Sequence, residues 1–314
     1  REGDPQAVAN LVFARVLYGE GHVFSMPVDG TLETVESITL DDLKDLYARG
    51  FSPSVAAFHL AGAVPREQVL ASLGELEEAW RPAEVTLPGY AIREPAGRPA
   101  IYFIDVPGSK QSVILAGRLA LSGTHEDFND LVFANERLGA GSSARLFQLL
   151  RVEKGYTYGA FSGIPRRREV SPFFASTSVR ANVTLESLEL IREQIATYRA
   201  TYTENDLETT KNILIKRATR DFETLDSLLG VLEQASALDL PPDYVERELA
   251  EVRGLTLAQV HATIDEYLDA GRMIWVVVGD GATQLERVAA LGWGRPTVLD
   301  VHGAPAGVVL RAGG

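Results

Sequence analysis

Residues 138–161, LGAGSSARLFQLLRVEKGYTYGAF, place a helical repeat and a strand repeat back to back across one glycine, which fixes a tight helix-to-strand corner. Leu146, Leu149 and Leu150 recur at the spacing of one buried helical stripe, and either Ser142 or Ser143 can cap that helix. Gly155 stops it. From Tyr156 the period changes to two, so Tyr156, Tyr158 and Ala160 are expected on one strand face, with Thr157, Gly159 and Phe161 on the other. Arg151 falls in the last helical turn and Tyr158 just beyond the corner. The reversal can therefore bring a guanidinium fork and a phenol towards one substrate oxygen. Purely structural readings compete with this one, since an arginine also suits the negative end of a helix dipole and a tyrosine suits a half-buried strand.

The same stretch contains Gly139-Ala140-Gly141-Ser142-Ser143-Ala144, a letter-by-letter match to the dinucleotide fingerprint. Its context argues against a phosphate cradle. The fingerprint follows a strand, whereas Phe128, Leu131, Val132 and Leu138 keep helical spacing, and no acidic residue stands at the distance a ribose needs.

LGAGSSARLFQLLR followed by EKGYTYGAF resembles the second-domain signature of the pitrilysin-type (inverzincin, M16) zinc metallopeptidases, in particular the C-terminal part of a bacterial M16B-like, processing-peptidase-like member. Residues 4–19 and 40–63 are similar to the closing part of that family's first domain. The resemblance implies an α+β fold of two related α/β-roll domains (M16 peptidase/LuxS-like), each a mostly antiparallel sheet packed with helices, the first of them incomplete. It implies that Arg151 and Tyr158 bind the substrate backbone, while zinc and the general base belong to the first domain of the parent protein.

The length and the 46% hydrophobic content allow two cores. We expect residues 1–80 to be the end of a first domain, 81–98 a Pro/Gly-rich linker, and 99–314 a second domain carrying the Arg/Tyr pair. In the first segment, Asp4 and Pro5 open a helix, a second helix starts at Thr39, residues 55–61 read as a strand, and Pro65 opens a third helix. In the second, strands at 100–106 and 111–120 precede a helix at 128–138. A hairpin then joins 156–164 to 173–181 through Arg166, Arg167 and Arg168, expected as a solvated tip. Helices over 185–201, in broken form over 204–240, and over 257–268 and a strand over 273–278 follow, with a short helix and a final strand near Val298 after them.

The two halves correspond at an offset of 217 residues, Thr39 to Thr256 and Gly62 to Gly279, with Leu43 matching Val260, Tyr47 matching Ile264, Phe58 matching Trp275 and Leu60 matching Val277. This pattern argues for an internal duplication and places about 120 residues of the first copy before Arg1.

The His-x-x-Glu-His motif of the resembled family is not in this sequence. His22 reads as a solvated loop histidine, His59 as a packed strand residue, His125-Glu126-Asp127 as a helix start, and His261 as a helix-face residue. We therefore expect no metal ligand and no bound cofactor in this chain, with zinc in the parent.

A net charge of −13 disfavours nucleic acid and anionic membranes and suits basic extended peptides. No apolar run is long enough to span a bilayer. With no cysteine the redox compartment is open; the chain is expected to be soluble, in the bacterial cytoplasm or periplasm.

The function so implied is the C-terminal portion of a zinc-dependent endopeptidase, forming half of a substrate chamber and positioning an extended peptide or unfolded polypeptide. The alternative is a non-catalytic subunit of the same fold that completes a partner's active site or acts as a scaffold. Its partner would be its own N-terminal segment or an M16 subunit, as a homo- or heterodimer.

Overall fold

The computed structural model describes residues 3–86, 88–90, 92 and 99–306. Six strands, β1 (Ala100–Asp105), β2 (Gln111–Ser122), β3 (Thr157–Gly163), β4 (Val170–Arg180), β5 (Ile274–Gly279) and β6 (Thr297–Leu299), form one sheet in the order β3-β4-β2-β5-β1-β6. The pairs β3/β4, β4/β2 and β2/β5 are antiparallel, and β5/β1 and β1/β6 are parallel. The helices are α1 (Pro5–Tyr18), α2 (Leu32–Ser37), α3 (Leu40–Gly50), α4 (Arg66–Ala79), α5 (Phe128–Gly139), α6 (Arg145–Phe147) and α7 (Thr184–Ala196). They continue with α8 (Tyr198–Thr201), α9 (Glu204–Arg220), α10 (Leu225–Leu238), α11 (Tyr244–Gly254), α12 (Leu257–Tyr267) and α13 (Gly281–Ala289).

The chain forms two compact units, one of residues 1–26, 92–215 and 246–314, the other of 27–91 and 216–245. α1, within the segment 1–80, belongs to the unit that holds the sheet, because its apolar stripe packs there. Of the segment 81–98, residues 87, 91 and 93–98 lie outside the described residues, as do 307–314 at the end of the second segment.

In the first unit the sheet is buried on both faces, which explains the unbroken apolar run of β5. Trp275 and Val277 pack with α5, α7 and α12 through Leu131, Phe133, Leu138, Leu188, Ile191, Val260 and Ile264. Ile274, Val276 and Val278 point to the other face, where they meet Val8, Val12, Phe13 and Leu17 of α1. α1 starts where the sequence suggests, with the Asp4 carboxylate accepting from the Gln6 and Ala7 backbone N–H groups and Pro5 at the first turn.

In the second unit, α3 opens with a capping box between Thr39 and Asp42, and α12 of the first unit opens with one between Thr256 and Gln259. The bounds of these two helices coincide at the offset of 217, and so do those of the 3-10 turns Pro53–Val55 and Ala270–Arg272 that follow them. The match ends at the strand. Residues 56–61 carry no regular structure, contrary to the expected strand over 55–61. A strand needs a neighbour to satisfy its backbone, and none of the six strands lies in this unit. Leu43, Tyr47, Phe58 and Leu60 are exposed, whereas their counterparts Val260, Ile264, Trp275 and Val277 are buried.

Candidate functional site

The helix before the corner starts at Ala144 without a side-chain cap, so neither Ser142 nor Ser143 plays that part. Their carbonyls are used instead: Ser142 O accepts from Gln148 Nε2 at 2.6 Å and Ser143 O from Arg137 Nη1 at 3.3 Å. Residues 148–153 are wound as a π-helix, the Lys154 N–H reaching Leu149 O at 3.0 Å. Such widened turns recur at functional sites. Gly155 then takes φ +63°, a conformation without penalty only for glycine, and the Tyr156 N–H closes on Leu150 O at 2.9 Å. Leu146 and Leu150 are buried beneath the turn, Leu149 is half-buried, and Arg151 is on the exposed side.

β3 does not keep simple alternation. Its pairing with β4 shifts between Thr157, opposite Val179, and Ala160, opposite Thr177, so one extra residue bulges out. Thr157 holds the bulge: its Oγ1 accepts from the Gly159 N–H at 3.0 Å and lies 2.6 Å from Ser178 O, while Thr177 Oγ1 donates to Gly159 O at 2.9 Å. The expected shared face of Tyr158 and Ala160 is thereby lost. Ala160 is in the core and Tyr158 is 88% exposed.

The corner and the bulge together bring the Arg151 guanidinium to 5.6 Å from the centre of the Tyr158 ring. An exposed stack of this kind contributes only about 0.5–1 kcal/mol. Neither side chain makes a hydrogen bond or ion pair among the described residues, so all guanidinium donors and the phenol remain available to a ligand. β3 is an edge strand, and Val152 and Phe161 are exposed beside the pair. At its far end the edge is occupied. Asn135 Nδ2 donates to Ser162 O at 3.1 Å, and next to Tyr158 both backbone groups of Gly159 are taken by the Thr157 and Thr177 hydroxyls.

The helix carrying Arg151 is anchored by a cluster that sequence reading did not assemble. Asp206 accepts from Arg137 Nε at 3.3 Å, from Arg145 Nη2 at 2.9 Å, and from the Thr203 N–H and Oγ1, both at 2.9 Å. Burial pushes its carboxyl up, but the Thr203 hydrogen bonds, the charge of Arg145 and the hydrogen bond from Arg137 outweigh this and hold it below the usual carboxylate range. Arg145 also lies 5.0 Å over the ring of Tyr198, whose phenol burial pushes well up. The arginines are 69 and 61 residues from Asp206 in the chain, too remote for spacing to connect them.

The other candidates resolve differently. His22 is buried rather than solvated, stacked 4.7 Å from Tyr18 with its Nδ1 accepting from the Phe24 N–H. His59 sits outside any strand, its Nε2 3.0 Å from Ser236 Oγ, and His261 Nε2 lies 3.0 Å from Tyr202 O. His125 Nδ1 accepts from the Asp127 N–H at the start of α5, whose carboxylate accepts from Tyr267. Arg166 is not a solvated tip: it pairs with Glu248 at 2.7 Å and stacks on Phe128, while Arg167 stacks on Phe24. The glycine-rich run follows α5 rather than a strand, which removes the phosphate cradle. Among the described residues no group of three or more His, Cys, Asp or Glu could hold a metal, and no helix is long and apolar enough to cross a membrane.

A mixed sheet packed by helices, with an arginine and a tyrosine side by side at its edge and no assembled metal centre among the described residues, is an α+β domain. Residues 37–214 match the family described as the peptidase M16 inactive domain, and the chain belongs to that family. A crystal structure of a peptidase M16 inactive domain from Pseudomonas fluorescens superposes with a TM-score of 0.79 at 25% identity, covering 88% of this chain and 66% of that one. An uncharacterized zinc protease of Streptomyces coelicolor is 24% identical over 207 residues, 62% of this chain and 43% of the relative. A Helicobacter pylori protein named as a non-peptidase homolog is 21% identical over 288 residues, 89% of this chain and 64% of the relative. The chain thus spans about half the length of the curated relatives it matches.

Proposed function

We propose that this chain is the C-terminal portion of a zinc-dependent endopeptidase and that Arg151 and Tyr158 hold the backbone of an extended peptide along the edge of β3. The observation that carries this reading is the pair itself: two exposed donors, side by side and without other partners, on an edge strand. An added strand gains backbone hydrogen bonds from the edge, and a guanidinium and a phenol can donate to one carbonyl and stabilise charge developing there. Among the described residues no group fits a zinc site, and in this reading metal and general base belong to the preceding part of the parent protein. The offset of 217 supports the same assignment, with 1–80 as the end of a first domain, 81–98 as linker and 99–314 as its duplicate.

In the complete protein, Arg151→Ala is expected to lower peptide turnover by roughly 10- to 100-fold with zinc content unchanged, and Tyr158→Phe to lower it less. Turnover equal to that of the unaltered protein in both variants would remove the pair from the site.

A second reading, a non-catalytic subunit of the same fold, is favoured by the name of the Helicobacter pylori relative. Zinc content and peptide cleavage of the complete protein separate the two, since a subunit without metal and without turnover of its own would cleave only after a partner is added.

A further inference from the structure

On the first unit, a cavity of about 500 Å³ opens where α1 crosses the ends of β1, β2, β5 and β6. Its polar lining consists of Arg15, Glu20, Tyr102, Arg118, Arg272 and Thr297. Three guanidinium groups and one carboxylate line it, with the Glu266 and Asp269 carboxylates also acting on Arg118 from behind.

One of the arginines, Arg118, is not explained by the fold. Arg15 is engaged, its Nε donating to Ser25 O at 3.2 Å and its Nη1 to His302 O. Arg118 is only 8% exposed and donates once, from Nη1 to the Glu266 carbonyl at 2.9 Å; its Nε is buried and has no hydrogen-bond partner. Neither Arg118 nor Arg272 forms an ion pair among the described residues. The Nε is enclosed by protein and does not face the cavity, but the Arg118 charge is held nearly buried without an ion-pair partner, which raises the free energy of the empty site, and an anion in the cavity relieves it.

We propose that this cavity binds a small organic carboxylate, its charged end taken by Arg118 and Arg272 and its apolar end lying along Tyr102, Ile274 and Leu299. The carboxylate is favoured over inorganic phosphate because the cavity is several times larger than the anion alone and the remaining wall, which also includes Val16 and Leu17, is apolar. The electrostatics agree with the geometry. Burial first, and then the neighbouring Arg272, depress the Arg118 pKa, and the opposing influence of Glu266, Asp269 and Tyr267 does not reverse the direction. The site is on the sheet unit and uses neither Arg151 nor Tyr158, so it stands independently of the peptidase reading.

The test is thermal unfolding of this chain in benzoate, acetate and inorganic phosphate, each against sodium chloride of equal ionic strength. Benzoate is expected to raise the midpoint by several degrees, acetate and phosphate by less. Arg272→Gln, at an exposed position, should keep the fold and reduce the benzoate shift roughly two-fold or more; Arg118→Gln should abolish it. If Arg118→Gln does not fold, Arg272→Gln alone decides. No shift with benzoate, a shift unchanged in Arg272→Gln, or a phosphate shift as large as that of benzoate would overturn the proposal.

Discussion

Asp206→Ala is expected to destabilise the chain by about 3 kcal/mol, because it leaves two largely buried arginines without their shared carboxylate. Side-chain exposure is 11% for Asp206, 21% for Arg137 and 20% for Arg145, so water replaces little of what is lost. The same substitution removes the carboxylate that receives the Thr203 N–H at the start of α9, a cap contributing on the order of 1 kcal/mol. Asp206→Asn keeps much of the shape and loses the charge, so it should fall between the two. The pH dependence has a definite sign. Because the folded-state carboxyl sits below its unfolded value of about 3.9, its contribution is present above that pH and is lost as pH falls through the lower folded value. Urea midpoints from pH 7 to pH 2 should therefore fall less steeply below about pH 4 in Asp206→Ala than in the unaltered chain. Identical acid limbs would reject the role given to this carboxylate.

That cluster also marks where sequence reading stops. Arg151 and Tyr158 could be brought together on paper because everything that joins them lies within one corner, and a glycine at Gly155 announces the reversal. The bulge that turns Tyr158 outward could not, because it depends on the Thr157 hydroxyl competing with the β-ladder for Gly159 and Ser178. The π-wound turn under Arg151 is equally silent in the sequence, whose leucine spacing suits either winding. Residues 55–61 fail in the opposite direction. Their apolar run suits a strand, but a strand is a property of a pair, and pairing partners within the second unit are absent among the described residues. The solvated reading of Arg166 missed Glu248 for the reason that Arg137 and Arg145 were missed for Asp206: the partner is remote in sequence, and a charged residue alone does not announce an ion pair.

Gly139→Ala is expected to destabilise the protein by about 3 kcal/mol although it places a better helix former at the end of α5, a change that on propensity alone would gain about 1 kcal/mol. A Cβ at this position would stand 2.2 Å from Ser162 Oγ and 2.4 Å from the Ser162 backbone nitrogen. One of those atoms is main chain, so the clash cannot be relieved by a rotamer change, and α5 and β3 must separate. Their separation strains the contacts that fix the far end of the edge strand, Asn135 Nδ2 to Ser162 O and Ser162 Oγ to Asn135 Oδ1 at 2.5 Å. Gly141, two residues on, has nothing within 4 Å of its would-be Cβ, so Gly141→Ala should lie within about 1 kcal/mol of the unaltered chain. The contrast separates the two meanings of the glycine-rich run. A phosphate cradle would require both glycines for access and neither for stability, whereas packing requires Gly139 alone. Denaturant midpoints of the two variants measure it directly: equal tolerance at both positions would mean that α5 does not rest on β3 through Gly139. A selective loss at Gly139 would tie this glycine of the signature to the strand edge that carries Tyr158.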